Sequence, residues 1–231
     1  MHPILFIVFL PLLAAIVAGL GGRWIGATAA KVVTTGALFI GALLSWPIFF
    51  QYIGGDAGAT VVPVLDWIHS GTMNVDWALR LDALTAVMLV VVTTVSSLVH
   101  LYSWGYMAED PGQSRFFAYL SLFSFAMLML VTADSLVQMF FGWEGVGLCS
   151  YLLIGYWYDR PSACAAAIKA FIVNRIADLP FAVGLALIFF KFGSIEFSAI
   201  FPAVAQHTAD TYHLFGSNWP ALEVIGFLLF I

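Results

Sequence analysis

The sequence predicts an all-α integral membrane protein: a polytopic bundle of six complete transmembrane helices plus a truncated seventh, with a small extramembrane β-hairpin between helices 2 and 3. Three observations predict it. Of the 231 residues, 62% are apolar and 9% charged, against about 45–50% and about 25% in soluble domains. The mean hydropathy is +1.00. The apolar residues also gather into runs long enough to cross a hydrocarbon core of about 30 Å, which takes about 20 residues at roughly 1.5 Å each.

Those runs occupy residues 3–21, 28–50, 83–103, 114–133, 135–158 and 162–190. The first does not read as a removable signal peptide, because it lacks a basic leading region and a second run follows at once. Between the second and third runs, Thr60-Val-Val-Pro-Val-Leu-Asp-Trp67 and Met73-Asn-Val-Asp-Trp-Ala-Leu-Arg80 flank the segment His69-Ser-Gly-Thr72. They read as two strands around a Ser-Gly turn. The seventh run starts at Trp219 and ends inside Gly226-Phe-Leu-Leu-Phe-Ile231. At helical rise it reaches only about 20 Å, so it is expected to be cut short, since a carboxylate ending inside the bilayer would lack water. Arg23, Lys31, Arg115 and Arg160 in the first, third and fifth loops outnumber Arg80 and Lys191 in the second and sixth. That asymmetry places the N-terminus and the hairpin outside. No internal repeat, low-complexity stretch or linker divides the chain, and residues 1–231 read as a single transmembrane domain.

Several function classes fall away. With 13 acidic and 8 basic residues and a formal charge of −5, there is no basic stripe to neutralise phosphates, so no nucleic-acid partner is expected. Cys149 and Cys164 form no CxxC and lie in or near apolar runs, which suits neither a disulfide framework nor a zinc or iron–sulfur site. HExxH, GxSxG, Walker A and a GxGxxG after a strand are missing, so no metal, nicotinamide or flavin site is expected in this chain.

The informative residues are the charges at membrane depth, each costing at least about 2.5–3.5 kcal/mol on insertion scales unless it faces the bundle interior and finds a mate. Glu144 falls about 14 Å along its run, near the midplane, among Gly142, Gly145 and Gly147. On the next run, Lys169, Arg175 and Asp178 fall at depths of roughly 20, 10 and 6 Å from the outer face. Arg175 and Asp178 are three apart on one helical face, which suits either a structural clamp or a working part of an ion route. Glu144 has no opposite charge in its own helix, and Lys169 reads as its natural mate, since a buried lysine shifts its protonation readily. Pro180 frees the Ile176 carbonyl and predicts a kink beside the pair. His100 is open to two readings, a proton relay or a satisfied core histidine. Asp134 reads as the cap of the helix that carries Glu144.

A resemblance rests on Trp77-Ala-Leu-Arg-Leu-Asp-Ala-Leu84, Tyr102-Ser-Trp-Gly-Tyr-Met107, Ser114-Arg-Phe-Phe-Ala-Tyr-Leu-Ser121, Phe141-Gly-Trp-Glu-Gly-Val-Gly-Leu-Cys-Ser-Tyr-Leu-Leu-Ile-Gly-Tyr156 and Lys169-Ala-Phe-Ile-Val-Asn-Arg-Ile-Ala-Asp178. These stretches resemble the chain L family of the respiratory NADH–quinone oxidoreductase, complex I, whose antiporter-like fold is a long helical bundle with inverted five-helix repeats. The resemblance runs from near residue 1 to the end. It implies that Glu144 is the family's mid-membrane glutamate, and that Lys169, Arg175 and Asp178 match charged positions on the next helix. It further implies that this is the N-terminal part of a subunit that translocates protons. NAD, FMN, iron–sulfur clusters and quinone would then bind other subunits, and the partners would be neighbouring complex I membrane subunits and the lipid bilayer. The expected location is the bacterial inner membrane or its mitochondrial counterpart. Proton is preferred to sodium, because few oxygen ligands cluster as a cation cage. Two other readings stand beside this one: the large subunit of a multisubunit sodium/proton antiporter, and a structural scaffold whose charges are all paired.

Overall fold

Each long apolar run becomes a helix, because only a helix satisfies every backbone N–H and C=O within its own segment at membrane depth. The computed structural model describes residues 2–54, 58–71, 73–214 and 216–230. Among these, five helices are long and apolar enough to cross a membrane: α1 (Pro3–Ile53), α2 (Ala83–Tyr106), α3 (Gln113–Val131), α4 (Leu136–Ile154) and α5 (Pro161–Phe192). The hairpin strands are β1 (Thr60–Ser70) and β2 (Met73–Leu81). Beyond α5 come the short α6 (Phe197–Ala203), a second hairpin of β3 (Thr211–Leu214) and β4 (Ser217–Pro220), and the ten-residue α7 (Ala221–Phe230).

The expectation of six crossings before the seventh run differs from five helices for one reason. Residues 3–21 and 28–50 belong to a single element, α1, whose helical backbone breaks only at Gly26, with φ 78° and ψ 166°. A side chain would strain that left-handed φ, so glycine is the residue that lets the chain turn back here. The two arms of α1 then face one another. A Cβ built on Gly41 lies 3.9 Å from the Ile7 carbonyl oxygen, whereas an unbroken helix would hold those residues about 50 Å apart. The predicted end at Ile231, and Thr72 in the hairpin turn, lie outside the described residues.

Two of the four packing clusters among the described residues position the site. Ile4, Ile7 and Val8 from the first arm of α1 and Ile48 and Tyr52 from the second meet Leu79 and Leu81 of β2, Leu89 of α2 and Leu128 and Met129 of α3. Leu136 of α4, Ile188 of α5, Ile200 of α6 and Ile225 of α7 form the other. The two are joined where α3 meets α4, and a Cβ on Gly142 would fall 2.6 Å from both the Cα and the N of Leu130. Glycine is therefore the residue that permits this approach. The glycines near Glu144 serve packing, and α4 runs unbroken past them. The kink expected at Pro180 does not end α5, which continues through it to Phe192.

Backbone hydrogen bonds stitch the hairpin end. The Arg80 N–H donates to the Thr132 carbonyl at 2.8 Å, Leu136 N–H to Ile195 O at 3.0 Å and Phe197 N–H to Asp134 O at 3.2 Å. At the opposite end Asp110, between α2 and α3, accepts from Tyr156 Oη at 2.7 Å, Gly112 N–H at 2.7 Å and Trp157 Nε1 at 3.1 Å. That carboxylate ties the α2–α3 connection to the α4–α5 connection.

Candidate functional site

Glu144 is set on α4 by the start of that helix. Ser135 is its N-cap, accepting from the Gln138 N–H at 3.3 Å. Asp134, expected to be the cap, instead accepts from Arg80 Nη1 at 3.4 Å. Burial pushes the Asp134 carboxyl up from its ordinary value, and Arg80 opposes that rise. Asp82 is the N-cap of α2; burial also raises it, but the Thr85 N–H and the Arg80 guanidinium outweigh that and hold it below the ordinary range.

Beyond this fixed start, α4 and α5 bring three charges together. Arg175 Nη1 donates to Glu144 Oε1 at 2.5 Å and lies 3.3 Å from Asp178 Oδ2. The pair three apart on α5 forms as helical spacing predicts. One guanidinium is thus shared between two carboxylates on different helices, leaving a formal sum of −1. Asp178 is 7% exposed, and its other oxygen accepts from the Trp143 indole N–H at 3.2 Å. Glu144, Arg175 and Asp178 line a cavity of about 250 Å³ together with Trp143, Asn174 and Ser150, closed on one side by Met127 and Leu130 of α3.

The mate expected for Glu144 is a different residue. Lys169 is exposed and forms no ion pair among the described residues. The cause is rotation about the helix axis: nine residues at about 100° each set Lys169 about 180° round α5 from Asp178. Depth along the helix admitted both cations, and azimuth selected Arg175. Trp143, Asn174 and Ser150 were not singled out in the sequence; the one signal for Trp143 is an indole donor adjacent to a membrane glutamate. Of His and carboxylate atoms close enough to share a cation, Asp66, His69 and Asp76 on the first hairpin lie within 4.8 Å of one another, all three exposed.

Comparison with known proteins bears on this geometry. Residues 67–117 match the family model described as NADH-Ubiquinone oxidoreductase (complex I), chain 5 N-terminus. Residues 133–231 match the one described as NADH:quinone oxidoreductase/Mrp antiporter, TM. The NADH-quinone oxidoreductase subunit L of Rhodobacter capsulatus is 52% identical over 97% of this chain and 32% of its own length. The NADH-ubiquinone oxidoreductase chain 5 of Chondrus crispus is 46% identical over 98% and 34%. The chain therefore spans about a third of the length of the curated relatives it matches. Two solved structures share the fold, each with a TM-score of 0.75 over 98% of this chain. One is an archaeal membrane-bound sulfane sulfur reductase, 17% identical and covered over 43% of its chain. The other is the Mrp complex of Dietzia, 24% identical and covered over 23%.

Proposed function

The chain belongs to the family of antiporter-like membrane subunits of NADH:quinone oxidoreductase, and on that premise we propose that it carries a charged centre of a proton-translocating subunit. The observation that carries the reading is Arg175 held between Glu144 of α4 and Asp178 of α5. The guanidinium stays protonated, so it neutralises one of the two carboxylates. A proton on the other brings the cluster to neutrality, which apolar surroundings favour. Movement of Arg175 toward one carboxylate leaves the other as the stronger proton acceptor. Proton uptake is thereby tied to the placement of α5 against α4.

In this reading the subunit is part of a redox enzyme without a redox centre of its own. Nicotinamide, flavin, iron–sulfur and quinone chemistry is assigned to other subunits, and its partners are neighbouring membrane subunits and lipid. Residues 1–231 act as one transmembrane domain, the N-terminal part of a longer subunit, in a bacterial inner membrane. We count the two arms of α1 as separate crossings, which makes six, with α7 the start of a seventh. Lys169, exposed on α5, stays a proton-translocation candidate beside the cluster.

The test is the proton-to-electron ratio of the full-length complex in sealed vesicles, wild type against Glu144→Gln at matched assembly. A large fall in pumping with NADH oxidation retained is expected; an unchanged ratio refutes the role. The second reading, a multisubunit sodium/proton antiporter, is favoured by the fold shared with the Mrp complex. It is disfavoured by relatives 43–52% identical that are all named as NADH–quinone or NADH–ubiquinone oxidoreductase chains.

A further inference from the structure

A second polar region lies inside the protein, away from the Glu144 cavity. On α2, Thr93, Ser97, His100 and Ser103 recur at steps of three and four residues, which places them along one helical face. All four are buried. Two of them are placed by contacts with α1 and α3. Thr93 Oγ1 is 2.9 Å from Ser45 Oγ on the second arm of α1, and the His100 ring meets Phe117 of α3 at 5.9 Å between centroids. At helical rise His100 sits about 26 Å from the hairpin end of α2, whereas Glu144 sits about 12 Å from the same end of α4. Met127 and Leu130 of α3 close the Glu144 cavity, so α3 stands between the two regions.

Thr93 donates to Leu89 O at 2.6 Å, Ser97 to Thr94 O at 2.8 Å and Ser103 to Val99 O at 2.7 Å. The Ser97 and Ser103 protons are thus spent on carbonyls of their own helix, leaving those two buried oxygens as acceptors, while Thr93 shares a proton with Ser45, either of which could donate. His100 Nδ1 lies 2.8 Å from Ser96 O. A carbonyl only accepts, so Nδ1 carries the hydrogen, and Nε2 of a neutral ring is an acceptor too. Nε2 is fully buried, and no donor among the described residues reaches it.

A doubly protonated ring does not relieve this. None of α1, α2 and α3 contains an Asp or Glu, so an imidazolium here would have no counter-charge in an apolar bundle. What the face lacks is a donor. A group small enough for a close-packed interior, with two donors to offer to acceptors already in place, is water.

We propose that His100 Nε2 and the buried hydroxyl oxygens of α2 hold an internal water between α1, α2 and α3, a hydration site separate from the Glu144–Arg175–Asp178 cavity. The direct test is a map of the intact complex at a resolution that shows ordered waters. A peak about 2.7–3.2 Å from Nε2, with a second contact to a hydroxyl or carbonyl oxygen, is expected. An Nε2 that meets only apolar atoms, or a side-chain donor, overturns the proposal. A second measurement is thermal unfolding of the assembled complex. His100→Phe removes the acceptor and strands the partners of the water, lowering the melting temperature below that of wild type; His100→Gln, which keeps an acceptor, loses less. A His100→Phe complex as stable as wild type also overturns it, and if that variant fails to assemble the wild-type map decides.

Discussion

Replacing Gly142 by alanine tests whether the α3–α4 contact positions the charged cluster. The added Cβ would lie 2.6 Å from Leu130 Cα and N, while unstrained carbon contacts settle near 3.5–4.0 Å, so the helices must part by about 1 Å. Alanine in a helix interior gains about 1 kcal/mol over glycine. Against that, overpacking costs typically about 1–3 kcal/mol, and the upper part of the range applies because both clashing atoms are backbone and no rotamer relieves them. The net is a destabilisation of about 1–2 kcal/mol, read as a fall in melting temperature. Gly36→Ala is the control. A Cβ there meets nothing within 4 Å, so the helical gain is unopposed and the melting temperature should hold or rise. Both are measured by thermal unfolding of the solubilised full-length complex. Because Leu130 lines the cavity beside Glu144, Gly142→Ala should also lower the proton-to-electron ratio. A Gly142→Ala complex as stable as Gly36→Ala refutes the reasoning.

Two further outcomes follow from the same geometry. Trp143→Phe keeps an aromatic ring beside Phe181 but removes the indole donor to Asp178; a bond to a charged group contributes about 1.5–3 kcal/mol, and its 3.2 Å length argues for the low end. The complex should assemble while the proton-to-electron ratio falls by less than in Glu144→Gln. Acid should loosen the α2–α3 connection: burial raises the Asp110 carboxyl, but its bonds from Tyr156, Gly112 and Trp157 outweigh that and hold it below its ordinary 3.8. A depressed carboxyl stabilises fully above its unfolded value and loses that contribution as pH falls through the folded one. Trp157 fluorescence should therefore stay constant from neutrality to about pH 4 and change only below, and a change near pH 6 would contradict the assignment.

Spans and hairpin were legible because hydropathy and turn chemistry are local. Residues 83–103 and 114–133 fall within a few positions of α2 and α3, and β1 runs only three residues past its predicted end, to Ser70. The turn at Gly26 was legible as a gap between two runs, though its φ of 78° was not. The second hairpin, of Thr211–Leu214 and Ser217–Pro220, escaped notice because strands of four residues are too short for an alternation to stand out. At the charged site, spacing along one helix was readable and contact between helices was not. Arg175 and Asp178 meet as predicted, but the choice of Arg175 over Lys169 for Glu144 depends on how α5 is rotated against α4. Asp134 lost the capping role to Ser135 for a similar reason, since Arg80 arrives from a strand more than fifty residues away in sequence.

The two ion pairs of Arg175 respond differently to motion. Arg175 and Asp178 share α5 and are linked by one helical turn, so any rigid displacement of α5 carries both and leaves their 3.3 Å separation intact. The bond from Arg175 to Glu144 crosses from α5 to α4, so the same displacement lengthens it directly. At an effective dielectric of about 20, opposite charges attract by about 4 kcal/mol at 4 Å and about half that at 8 Å. A slide of one helix by a few ångströms therefore withdraws about 2 kcal/mol of the Arg175 attraction from ionised Glu144, while Asp178 keeps Arg175 and loses only the Trp143 donor. Trp143 donates to Asp178 from α4, so the same slide stretches that bond as well. In the proposed pump, Glu144 is the group that senses the position of α5, and Asp178 is the anchor that keeps the cation on that helix.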